Sequence, residues 1–153
     1  MLASEELTIG GRGYRLTQLQ AGRARRILFR LFKTCGPALA MLAGKEGGLA
    51  ALKGDGLADA AKRLALDLSE DEFESIVTDL LFTGHVEERQ DNGGLLHLTK
   101  ELADLKFAGR LDDFFKLIGA MLRFNFGNFL GGLESMAASL GGAGAAKVPA
   151  SSQ

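Results

Sequence analysis

Among its 153 residues the chain has no tryptophan, one tyrosine, one cysteine, two histidines and two prolines. Each shortage removes a class of chemistry. A lone thiol, Cys35, can form no internal disulfide and has no ligand cluster around it, so it reads as a small buried hydrophobe. His85 and His97 flank one short segment without a well-placed third ligand, and no metal site is expected. Ser69 and Ser75 cannot be assembled with either histidine into a nucleophile, base and orienter, and Asp112-Asp113 are adjacent rather than on one helix face. The glycine clusters Gly10-Gly11-Arg12-Gly13 and Gly47-Gly48 are not followed by the Gly-Lys-Ser/Thr of a phosphate loop and read as turns. Neither catalysis nor a cofactor is therefore expected. The longest uncharged stretches, Thr34–Gly44 and Ser135–Ala146, are too short to cross a bilayer. The first residues, MLASEELTIGG, carry acids where a secretory signal carries bases. A cytoplasmic protein with no membrane partner is expected.

What is abundant is packing material. There are 21 glycines and 10 phenylalanines, and 46% of residues are hydrophobic, a composition that leans toward an interaction protein. Leu7-Thr8-Ile9 and Tyr14-Arg15-Leu16 alternate around the glycine turn and predict a hairpin. From Thr17 the apolar positions Ala21, Ala24, Ile27, Leu28, Leu31, Phe32 and Cys35 recur at three and four, predicting a helix that Gly36-Pro37 should stop. A short apolar helical piece from Pro37 to Ala43 and a loose glycine-rich connection through Gly56 should come next. Leu57–Leu66 suits a short helix. Ser69-Glu70-Asp71-Glu72 is a capping box for the next, with Phe73, Ile76, Val77, Leu80 and Leu81 on one face and Gly84 placed to end it. His85–Arg89 and Leu95–Leu98 around Asn92-Gly93 predict a second hairpin, and Thr99 can cap a helix starting at Lys100. Lys100 to about Leu133 has helical period with a break near Ala108-Gly109, and its second half is apolar on most sides.

Charge is distributed unevenly. Residues 1–66 hold 11 Lys and Arg against 5 Asp and Glu, whereas residues 67–153 hold 7 against 14. The near-neutral total conceals a dipolar chain. Arg23, Arg26, Arg30 and Lys33 lie close to one helical face, either a solvated face or a docking surface for an acidic partner, including a second copy. Phosphate binding is disfavoured because no aromatics interleave to stack bases. The order short helix, helix, hairpin suggests a winged-helix-like middle. Its second helix carries Glu70, Asp71, Glu72, Glu74 and Asp79 with no Lys or Arg, so no nucleic-acid partner is expected.

The stretch from Phe107-Ala-Gly through Asn125-Phe126-Gly-Asn-Phe129-Leu130-Gly-Gly-Leu133 resembles the C-terminal signature of tail assembly chaperones of tailed bacteriophages. The hairpin ending Tyr14-Arg-Leu-Thr, the alanine-rich basic helix and Cys35-Gly-Pro-Ala-Leu agree in style, so the likeness covers residues 7–133. It implies a non-enzymatic factor of the infected host cytoplasm, absent from the mature virion, that shields the tape-measure protein and recruits tail-tube subunits. Phe124, Phe126 and Phe129, with Leu122 and Leu130 beside them, are candidate anchors for a helical partner, and they are also candidates for the domain's own core. Arg23, Arg26 and Arg30 are candidate partner contacts, and a homo-oligomer suits the dipolar charge. The resemblance also suits a longer form made by ribosomal frameshifting near the end of the short frame. A winged-helix DNA-binding regulator and a minor structural tail protein are the alternatives. The expected architecture is mainly α: one compact helical domain over residues 1–140 with two small β-hairpins, succeeded by a flexible tail over residues 141–153.

Overall fold

The computed structural model describes residues 1–43 and 56–129. Strands β1 (Ser4–Ile9) and β2 (Arg12–Thr17) form the first hairpin, in register from Ser4↔Thr17 to Ile9↔Arg12. The two residues between them, Gly10 and Gly11, have φ of 57° and 80°, the positive pair that a tight two-residue hairpin turn demands. Helices α1 (Ala21–Ala43), α2 (Gly56–Asp67) and α3 (Glu70–Leu81) come next, then β3 (Val86–Arg89), β4 (Leu95–His97) and α4 (Lys100–Lys106). A further helix, α5, spans residues 111–129. The predicted caps are present. Ser69 Oγ accepts from the Glu72 amide at 3.2 Å, and Thr99 Oγ1 accepts from the Leu102 amide at 3.2 Å. Gly109, with φ of 72°, makes the predicted break between α4 and α5.

Two expectations are corrected. The mainly helical architecture with two separate hairpins gives way to a single four-stranded antiparallel sheet in the order β1-β2-β3-β4, with helices packed on it. The joint is β2 with β3, through Tyr14↔Glu88, Arg15↔Glu87 and Leu16↔Val86. An isolated two-stranded hairpin is marginal in water, and pairing the inner edges satisfies a row of backbone donors and acceptors on each. That pairing joins residues about seventy positions apart, which local periodicity does not report. The second correction concerns Pro37. In place of a break between two helices, α1 continues through Gly36-Pro37 to Ala43. Proline keeps a helical φ and forfeits one backbone bond, a cost of about 3 kcal/mol that a long packed helix can absorb. The glycine-rich connection, Leu130 and the expected tail lie outside the described residues, and the side chain of Cys35 does as well.

The sheet has two unlike faces. Tyr14, Leu16 and Val86 on the inner face are buried, together with Glu88 at 3% exposure. Glu88 Oε1 accepts from Lys106 Nζ of α4 at 2.8 Å, so the buried carboxylate is paired. Phe107 stacks on Tyr14 with ring centroids 6.3 Å apart, and contacts continue through Phe114 and Phe115 to Phe73 of α3. Burial, and then the Glu88 carboxylate, push the Tyr14 phenol above its usual range. On the outer face the register sets Glu6, Arg15, Glu87 and His97 in one row, with Arg15–Glu87 and Arg89–Glu6 ion pairs at 2.8 and 2.5 Å. Two arginines tie α5 and the turn before it to the first hairpin. Arg110, just before the helix, donates to the Gly10 carbonyl at 2.6 Å, and Arg123 pairs with Glu5 at 2.6 Å.

Candidate functional site

The described residues contain no group of three or more His, Cys, Asp or Glu side chains placed to hold a metal. An apolar pocket lined by residues including Leu31, Ala61, Phe73, Ile118 and Leu122 has room for little more than a water-sized guest. No helix among the described residues is long and apolar enough to cross a membrane. Among the described residues, the candidates named from the sequence lie on α1 and toward the end of α5.

The C-terminal aromatic anchors divide by burial. Phe126 is 5% exposed, and Leu122 is also buried, both within the domain's own core. Phe124 is partly buried against that core. Phe129, one helical turn nearer the end of α5 than Phe126, is 45% exposed, and its ring meets Phe32 of α1 edge-on with centroids 5.7 Å apart. Leu130, the fifth candidate, lies outside the described residues. Asn125 explains part of the signature physically. Its Oδ1 accepts from the Leu19 amide at 2.8 Å while its Nδ2 donates to the Met121 carbonyl at 2.9 Å, clamping α5 to the turn between β2 and α1. Phe107 and Gly109 likewise serve the sheet–helix packing and the α4–α5 turn. Much of the Phe-Ala-Gly to Asn-Phe pattern thus holds the fold together.

The arginines divide too. Arg30 Nη1 donates to Ser75 Oγ at 2.7 Å, and its guanidinium pairs with Asp79, so it ties α1 to α3 within the chain. Arg23 is partly buried and lies near His85, whose pKa is lowered by burial and then by that cation. Arg26 is exposed, as are Arg25 and Lys33, and none of the three has an ion-pair partner among the described residues. Sequence reasoning misses the residue between them. Phe29 is 73% exposed, the most exposed phenylalanine among the described residues. The signal is nonetheless there: Phe29 falls off the apolar period that runs through Ile27, Leu28, Leu31 and Phe32.

Residues 10–135 match the family model described as phage tail assembly chaperone protein, TAC. The chain belongs to the phage tail assembly chaperone family. The match spans β2 to β4, helices α1 to α5 and both halves of the aromatic contact between Phe32 and Phe129. No curated protein and no solved structure gave a significant match. Membership supports a role in tail assembly with tail-protein partners, and the sheet and α5 are the frame on which this chaperone-family chain carries its exposed aromatics.

Proposed function

We propose that this chaperone binds and shields the tape-measure protein during tail morphogenesis and recruits tail-tube subunits to it, without catalysis. It acts in the cytoplasm of the infected host and leaves before the virion matures. The observation that carries this reading is the aromatic edge where α5 meets α1: Phe129 in solvent against Phe32. A tape-measure protein is a long helical chain with apolar stripes, and an exposed aromatic edge can cover such a stripe by helix-in-groove packing. Phe126 and Leu122 support that edge from the core, and α5 thereby joins stability to recognition.

The reading is tested by co-expressing the chain with the tape-measure and tail-tube proteins of the same phage. The expected result is a soluble complex on size exclusion with light scattering. Phe129→Asp should abolish the complex while the circular dichroism spectrum and melting temperature stay close to wild type. If the wild type neither binds nor solubilises either partner, the proposal fails. Recovery of the chain from purified virions in fixed stoichiometry would instead make it a structural tail protein.

A further inference from the structure

We infer that the aromatic edge at Phe129 continues along α1 as a strip with a basic border on one side, and that it accepts an amphipathic helix whose apolar stripe carries carboxylates along the matching side. Helix geometry sets the strip. Phe129 meets Phe32 edge-on, and Phe29 precedes Phe32 by three residues, which makes those two neighbours on the surface of α1. At 100° per residue, Phe32 lies about 60° to one side of Phe29, while Lys33 and Arg26 lie about 40° and 60° to the other. The rings are therefore on the side of α1 that meets α5, and the two cations are on the far side. Arg25, one turn before Phe29, stands at the end of the strip remote from Phe129.

The two borders of the strip differ in charge. Arg25, Arg26 and Lys33 are exposed and make no ion pair among the described residues, and α1 contains no acid to neutralise them. Arg30, further round the helix, is already engaged by Ser75 and Asp79 of α3. The opposite border is uncharged: after Arg123, which pairs with Glu5, α5 runs Phe124-Asn-Phe-Gly-Asn-Phe129. Phe29, at 73% exposed, and Phe129, at 45%, leave the strip open to solvent at both ends. A helix laid across the contact between α5 and α1 covers all three rings with one apolar stripe, and only its α1 side meets charge. Carboxylates on that side are attracted by the cations, and lysines there are repelled. A one-sided border thus selects the chemistry of the helix and fixes which way it faces. A strand of bases fits less well, because rings and cations occupy opposite sides of the strip instead of alternating along it. The inference rests on the tape-measure reading for the identity of the helix, and it adds which segments of that long chain are held, namely those with an acidic flank.

The test titrates the full chain against two labelled helical peptides of about twenty residues, read by fluorescence anisotropy. Both carry the same leucine stripe, bordered on one side by glutamates in the first and by lysines in the second. The glutamate peptide should bind at least about ten-fold more tightly at low salt, and the preference should shrink as salt rises. Arg26→Glu/Lys33→Glu should reverse the preference, and Phe29→Asp should weaken binding of the glutamate peptide about thirty-fold, the loss typical of an aromatic anchor. The altered residues are all exposed, and circular dichroism checks that each variant folds. Equal binding of the two peptides overturns the inference, as does a preference that survives the charge reversal. Displacement of the glutamate peptide by a single-stranded oligonucleotide, or by a second copy of the chain as its concentration rises, overturns it too. The tape-measure reading is scored separately in the co-expression assay. A tape-measure complex that Phe129→Asp abolishes and Arg26→Glu/Lys33→Glu leaves at full affinity keeps that reading and sinks the acidic flank. A selective glutamate peptide without any tape-measure complex keeps the acidic flank and sinks that reading.

Discussion

Helices α1 and α5 look interchangeable in composition, yet they use their phenylalanines in opposite ways. In α5, Phe126 is buried and Phe124 and the rings at its start are partly covered, leaving Phe129 as its most exposed phenylalanine. In α1, rich in arginine, Phe29 stands in solvent on the side away from the core. Apolar content thus says how much a helix can bury. Which residues remain for a partner depends on where its own core lies.

The sharpest way to break that comparison is to truncate one ring from each helix. Phe126→Ala should cost about 3–5 kcal/mol of stability in denaturant unfolding, the range for emptying a buried phenylalanine site. Phe29→Ala should change stability by no more than about 0.5 kcal/mol, as for an exposed position. Similar losses at both sites would mean that Phe29 is covered in the native protein and that the contrast between the helices is false.

Local patterns make much of this contrast legible and leave out the part that depends on distant pairing. The hairpin turns, the Ser69 and Thr99 caps and the Gly109 break all arise from short-range chemistry, and the structure has them. The β2–β3 joint is illegible because it pairs Leu16 with Val86 across three intervening helices. The continuation of α1 past Pro37 escapes a reading that weighs a local breaker without the rest of the helix. At the candidate site, Phe129 can be named from the sequence, whereas its exposure, and the burial of Phe126 three residues earlier, depend on how α5 lies against α1 and the sheet. Arg30 cannot be distinguished from Arg26 until α3 supplies Asp79.

A smaller effect sharpens the account of the signature. Asn125→Ala should lose about 1–3 kcal/mol, because the Leu19 amide would be left without its acceptor. Thermal unfolding reads that loss, and the folded variant should still bind wherever Phe129 is in place. Loss of binding without loss of stability would make Asn125 a contact residue.

The smallest expected effect concerns pH and the Arg23 end of α1. His85 has its pKa lowered from 6.5 by burial and by Arg23, so the folded chain holds a proton there less readily than the unfolded chain does. The corresponding stability is present above the unfolded pKa and declines as pH falls through the lowered one. His85→Gln should therefore flatten the decrease in melting temperature on acidification from about pH 7.5 to pH 5. An unchanged slope would place the acid sensitivity elsewhere.

The most direct test of the central claim is hydroxyl-radical footprinting of side chains, free and in complex with the tape-measure protein, read residue by residue by mass spectrometry. Phe129 and Phe32 should be labelled in the free protein and protected in the complex, with Phe126 slow in both. Unchanged labelling of Phe129 and Phe32 in a verified complex would contradict the account.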